Sequence, residues 1–240
     1  MYCHVSYKLH RSLGSMDKVS AGSYDLNVFL HGGYEPDVIS VVYGPSGSGK
    51  TNFCLLTAVS QAKKGNKVLF LDTEGGFSVE RVKQLAEGEL DLVLSNIFVL
   101  QPTSFSEQQS AFQQIGKYLK QGVSLIVVDG MTILYRLESA GLPEEQLRAA
   151  NRTLAGQMRQ LAEIARKQHI PILVTNQVYR WEETTRMVGG DVLQYWSKCH
   201  LELTREGTMR KVILRKHRSL PEKELSFDIT STGIRKKGLF

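Results

Sequence analysis

The sequence predicts an α/β fold: a mostly parallel sheet with helices on both faces and an antiparallel C-terminal extension. Three observations predict it. Continuous apolar runs rich in Val, Ile and Leu alternate with segments of helical spacing between residues 38 and 175, the pattern of strands buried on both faces. A glycine-rich loop, residues 44–51, lies between the first such strand and the first long helix. From Leu201 onward the runs shorten and turns such as Glu206-Gly207 and Leu220-Pro221 separate them, as in strands joined edge to edge.

Each element has its own reason. Ser23–Leu30 reads as a short helix with Ser23 as its N-cap, and Gly32-Gly33 breaks the chain after it. Val38–Tyr43 is apolar and β-branched, hence a strand. Lys50–Lys64 carries Phe53, Leu56, Val59 and Ala62 at helical spacing and stops at Gly65. Val68–Leu71 is the next strand, Val79–Ala86 a helix, and Ile97–Leu100 a strand. Glu107–Leu119 places Ala111, Ile115 and Leu119 on one helical face. Leu125–Val128 is a strand ending at Asp129, Glu144–Gln168 a long helix, and Ile170–Thr175 the last core strand. His200–Thr204, Arg210–Arg215 and Leu225–Ile229 form the extension. With no repeat and no linker, one domain is expected over residues 16–240, after a leader at 1–15 that precedes Met16.

Composition narrows the class. The 240 residues are 42% hydrophobic and 22% charged, which excludes a disordered, collagen-like or low-complexity chain. No apolar run nears the roughly 20 residues of a membrane span, and no secretory core opens the chain. Cys3, Cys54 and Cys199 are too scattered for a C-x-x-C zinc site or a disulfide framework. A reducing, cytoplasmic compartment is expected. The net charge of +6 is concentrated: from Arg205 to Lys237 ten basic residues stand against four acidic ones, which leaves the first 204 residues neutral. That C-terminal segment suits a polyanion such as nucleic acid, and equally a solvated face.

Gly44-Pro45-Ser46-Gly47-Ser48-Gly49-Lys50-Thr51 fits G-x-x-x-x-G-K-[ST]. In this motif backbone N–H groups and the following helix N-terminus cradle phosphates. Lys50 is placed to reach the β- and γ-phosphates of ATP, and Thr51 to ligate Mg²⁺. Asp129, at the end of an apolar strand, is the candidate second magnesium residue.

Three further stretches carry a resemblance. Asp72–Arg81 follows the second strand, Thr175-Asn176-Gln177-Val178 ends the last core strand, and His217–Glu222 precedes the final strand. With the phosphate loop, the chain resembles the RecA/RadA recombinase ATPase core from about Val19 to Ile234. Its short length is most similar to the archaeal RadB family, paralogues of the RadA recombinases. The resemblance implies that Glu74 polarises the attacking water, that Gln177 senses the γ-phosphate, and that Arg81 stacks on adenine. A helix cap, a strand-end amide and a surface arginine are the plain structural alternatives for the three.

The departures bear on function. In recombinases a loop after the sensor amide contacts single-stranded DNA. Here Tyr179–Val188 is a compressed version with Arg180, Trp181 and Arg186, able to stack on bases and meet phosphates or simply to pack. The earlier DNA loop, expected in Met131–Gln146, carries three glutamates and Arg136, with Arg148 and Arg152 a turn further on. Acidic residues repel the phosphate backbone. No F-x-x-A tether precedes Val19, so a homodimer is conceivable but a long filament is not expected. Lys216 and Arg218 fall where the family caps a neighbour's ATP. The reading is a weak, Mg²⁺-dependent ATPase that binds single-stranded or branched DNA and assists a RadA-type recombinase. A true strand-exchange recombinase and a RecA-like signalling ATPase or kinase without DNA binding are the alternatives.

Overall fold

Strand β1 (Ile39–Gly44) stands near the middle of the sheet and carries the phosphate loop at its C-terminal end. The computed structural model describes residues 18–181, 184–187 and 189–238, and the side chains of 179–188 are not described. The expected leader at 1–15 lies outside the described residues.

The chain order is α1 (Tyr24–Phe29), β1, α2 (Lys50–Ala62), β2 (Lys67–Asp72), α3 (Val79–Ala86), α4 (Leu90–Ser95), β3 (Ile97–Leu100), α5 (Phe105–Leu119) and β4 (Val123–Asp129). Then come α6 (Ile133–Ser139), α7 (Glu144–Gln168), β5 (Ile172–Trp181), β6 (Thr184–Met187), α8 (Gly190–Trp196), β7 (Cys199–Glu206), β8 (Met209–Lys216), β9 (Lys223–Thr230) and β10 (Gly233–Lys236). The sheet order is β10-β9-β8-β7-β1-β5-β4-β2-β3, with β6 hydrogen-bonded to β5. Strands from β7 through β3 run parallel, while β7 to β10 pair antiparallel. The predicted class holds.

Strand alternation divides the apolar side chains between two cores. Val42, Val68, Phe70, Leu125, Val127 and Leu173 pack on one face with α1 to α4. Val41, Leu69, Leu71, Ile126, Val128 and Val174 pack on the other with α5 to α8. Both faces are dry, which is why these strands read as continuous apolar runs. The antiparallel strands contribute Leu201, Leu203, Val212, Leu214 and Phe227 to the first core. Phe227 meets Phe53 of α2 edge to face at 5.5 Å. On α7, Ala150, Leu154, Met158, Leu161 and Ala165 form the buried stripe, each three or four residues from the last.

Several expectations are corrected. Ser23 occupies the N-cap position of α1 but makes no cap bond; its hydroxyl donates to Ile234 O at 2.7 Å instead, tying α1 to β10. Met131–Gln146 is not an open loop. Most of it is α6 and the first turn of α7, because Leu134 inserts into the second core. In the stretch read as a compressed DNA loop, β5 and β6 pair antiparallel, with Val178 opposite Met187 and Tyr179 opposite Arg186. Helices α4 and α8 are also additions to the sequence reading.

Candidate nucleotide site

Parallel strands deliver their C-terminal ends to one rim of the sheet, and the loops that follow meet there. β1 delivers Gly44, β2 Asp72, β4 Asp129 and β5 Gln177, with Gly44 paired to Gln177 and Asp72 to Asp129. A cleft of about 540 Å³ opens at this rim, lined by residues that include Ser46, Gly47, Gly49, Thr51, Glu74 and Arg210.

Gly44, Pro45, Ser46, Gly47, Ser48 and Gly49 form the loop. Gly44 is required by crowding: a Cβ there would stand 2.2 Å from Leu203 O of the neighbouring strand. Lys50 is folded back over the loop, and its Nζ donates to Gly44 O at 3.1 Å and Pro45 O at 3.0 Å. Those carbonyls hold the ammonium where an anion enters. Burial lowers the Lys50 pKa, and Glu74 and Asp129 nearby act the other way.

Asp129 is fully buried. Its Oδ1 accepts from the Thr175 hydroxyl at 2.6 Å, and its Oδ2 is buried without a hydrogen-bond partner. Burial pushes its pKa up to about 6, against the lowering effect of the Thr175 and Thr51 hydroxyls. Thr51 Oγ1 and Asp129 Oδ2 converge on Gly76: a Cβ on that residue would lie 3.2 Å from the first and 3.4 Å from the second. An orphaned carboxylate oxygen beside a hydroxyl suits a hard, oxygen-seeking cation such as Mg²⁺.

Glu74 projects into the cleft. Both of its carboxylate oxygens accept from Gln177 Nε2 at 3.3 Å. The two residues implied as water base and phosphate sensor are therefore hydrogen-bonded to each other. The loop carrying Glu74 is fastened by residues the motifs do not mark. Asp72 accepts from Gly76 N at 2.9 Å and Phe77 N at 3.0 Å. Thr73 Oγ1 donates to Asp129 O at 3.0 Å and Gly130 O at 2.6 Å. Strand-end Asp72 was the available signal for this fastening, since it closes a buried strand just as Asp129 does.

Arg81 stands at the edge of this group. Its Nε donates to Asn52 Oδ1 at 2.9 Å, and its Nη1 donates to Gln84 Oε1 at 2.7 Å and Ser231 O at 3.2 Å. Asn52 lines the cleft, so the guanidinium borders it. Burial lowers the Arg81 pKa.

The other expected residues lie apart. Arg148 is exposed on α7 and paired with Glu144, and Arg152 is exposed one turn on. The side chains of Arg180, Trp181 and Arg186 lie outside the described residues. Lys216 Nζ donates to Gln194 O at 2.9 Å and Ser197 O at 3.1 Å, closing the C-terminal end of α8. Arg218 Nε pairs with Glu35 at 2.7 Å and its Nη2 with Asp37 at 3.0 Å. Among the described residues, no cluster of three or more His, Cys, Asp or Glu is arranged to hold a metal alone, and no helix is long and apolar enough to cross a membrane.

Comparison with known proteins agrees with this geometry. The Rad51 family model matches residues 14–237. The "DNA repair and recombination protein RadB" of Methanococcus maripaludis strain C7 is 39% identical over 210 residues, covering 87% of this chain and 96% of that protein. Its namesake from Methanocaldococcus jannaschii is 36% identical over 209 residues, covering 87% and 98%. A solved structure described as the RadB recombinase is 36% identical, with a TM-score of 0.77, and covers 92% of this chain and all of that one. With the phosphate loop, Asp129 and the Glu74–Gln177 pair gathered on one rim of a RecA-like sheet, the chain belongs to the Rad51 family.

Proposed function

We propose that this protein is an ATP-binding accessory factor of homologous recombination in the cytoplasm. It binds single-stranded or branched DNA, hydrolyses ATP weakly, and assists or regulates a RadA-type recombinase. The observation that carries the reading is Glu74 facing the phosphate loop with both oxygens engaged by Gln177. The relatives' names supply the process, DNA repair and recombination.

Loop amides of residues 44–49 and the Lys50 ammonium bind the phosphates, and Lys50 exchanges its two backbone carbonyls for phosphate oxygens. Thr51 and Asp129 are the residues that hold Mg²⁺, which when bound neutralises charge on the phosphates. Glu74 orients the attacking water and accepts its proton. For that, Gln177 must release the carboxylate, and Gln177 belongs to the same strand as the β5–β6 hairpin. Nucleotide state and hairpin position are thereby coupled. Arg81 borders the base and stacks on it.

The hairpin residues Arg180, Trp181 and Arg186, with Arg148 and Arg152 on α7, are the proposed DNA contacts. Arg148 already has Glu144 as a partner, which weakens its pull on a phosphate. Lys216 and Arg218 both hold partners in their own chain, so no observation favours their capping a neighbour's nucleotide. A homodimer suits the reading better than a long filament.

The test is ATP turnover with and without single-stranded DNA. Slow turnover with little stimulation is expected. Strong DNA-dependent turnover with strand exchange would overturn the accessory role, and absence of DNA binding at low salt would overturn the recombination role.

A further inference from the structure

The β7–β8 hairpin sets two arginines against the phosphate loop from the side opposite the Glu74 loop. Arg205 and Arg210 are direct cross-strand partners, so their side chains project from one face of the hairpin. Arg205 Nη1 lies 3.0 Å from where a Cβ on Gly47 would stand. Arg210 lines the same cleft as Ser46, Gly47, Gly49 and Lys50. We propose that Arg210, seconded by Arg205, is a nucleotide-binding residue that grips the phosphate chain from within the same protomer.

Three considerations support this assignment. Arg210 Nε is buried with no hydrogen-bond partner, and no carboxylate among the described residues pairs with the side chain. A buried donor left unmade is costly, and such groups in native proteins usually await a partner. Three other cations of the extension have carboxylate partners: Arg215 pairs with Glu202 and Glu222, Lys211 with Glu224, and Arg218 with Glu35 and Asp37. Arg210 instead combines a buried, unpartnered donor with a place on the wall of the anion-binding cleft. Finally, Arg205 Nε donates to Gly207 O at 3.1 Å while its Nη1 approaches Gly47, and the planar fork of arginine fits phosphate oxygens two at a time. The proposal rests on the reading that this loop binds a nucleoside polyphosphate.

Calorimetric titration with Mg²⁺·ADP and a slowly hydrolysed Mg²⁺·ATP analogue tests it. The variants are Arg210→Gln, Arg205→Gln and Lys50→Ala, with their melting temperatures recorded without nucleotide. Arg210→Gln should weaken both nucleotides about tenfold, the effect of one lost charge-assisted hydrogen bond. Arg205→Gln, on an exposed side chain, should weaken them about threefold and covers the case in which Arg210→Gln does not fold. Lys50→Ala should abolish binding. If both arginine variants bind as the wild type does while Lys50→Ala does not, the proposal fails and the nucleotide reading stands. If the arginine variants keep nucleotide affinity but lose single-stranded DNA, the pair belongs to a DNA surface and the proposal again fails. A wild type that binds neither nucleotide overturns the underlying reading.

Discussion

Replacing Gly130 with alanine tests how the catalytic rim is built. Gly130 follows Asp129 with a φ of +92°, and a Cβ there would lie 2.4 Å from Thr73 Oγ1 and 2.7 Å from Glu74 Cγ. The left-handed backbone alone costs a non-glycine residue roughly 1–3 kcal/mol. Thr73 must also move, loosening its bonds to Asp129 O and Gly130 O at about 1 kcal/mol each. The sum is about 3–5 kcal/mol, a large share of the roughly 5–15 kcal/mol of an ordinary domain. Guanidinium unfolding of wild type, Gly130→Ala, Thr73→Ala and the double variant measures it. Thr73→Ala should cost about 2 kcal/mol by itself. The double variant should cost less than the sum, by on the order of 1 kcal/mol, because the atom nearest the new Cβ is gone. A Gly130→Ala protein within about 0.5 kcal/mol of wild type, or strict additivity in the cycle, would refute the close-packed account of this corner.

Other outcomes follow from the same geometry. Glu74→Gln should retain nucleotide binding while turnover falls by roughly 10²–10⁴; unchanged turnover would remove Glu74 from the base role. Asp129 binds its proton more tightly folded, at about 6, than unfolded, near 3.9. The wild-type apoprotein should therefore lose stability as pH rises through that window, by up to about 3 kcal/mol. Asp129→Asn should lack that loss, so the unfolding free energies of the two should diverge between pH 4 and pH 7; parallel curves would contradict the burial argument. Arg218→Ala should cost about 1 kcal/mol through its pairs with Glu35 and Asp37, less at high salt, as read from denaturation midpoints.

Much of this architecture was legible in the sequence for definite physical reasons. Strands buried on both faces must be continuously apolar, so the core strands announce themselves, and Gly44 to Thr51 has a spacing that few structures other than a phosphate loop require. The long amphipathic α7 was read to the residue. What stayed hidden depends on tertiary contacts. Helices α4, α6 and α8 have six or seven residues, too short for a periodicity to declare itself. The Ser23 hydroxyl looked like a cap because the competing acceptor, Ile234 O, lies 211 residues away. The same distance problem concealed Thr73, Thr175 and the paired arginines, whose roles arise only when strands remote in sequence share a rim.

The wall of the nucleotide cleft comes from late in the chain. Ile229 of β9 lies 3.0 Å from where a Cβ on Gly49 would stand, and Phe227 packs on Phe53 just inside the following helix. A growing polypeptide thus exposes its anion loop and its apolar flank long before the strands that seal them have been synthesised. During biosynthesis the site closes late, when β9 arrives and only β10 remains to be added, and a shortened product ending before β9 would display a sticky, half-finished cleft rather than a weaker version of the whole.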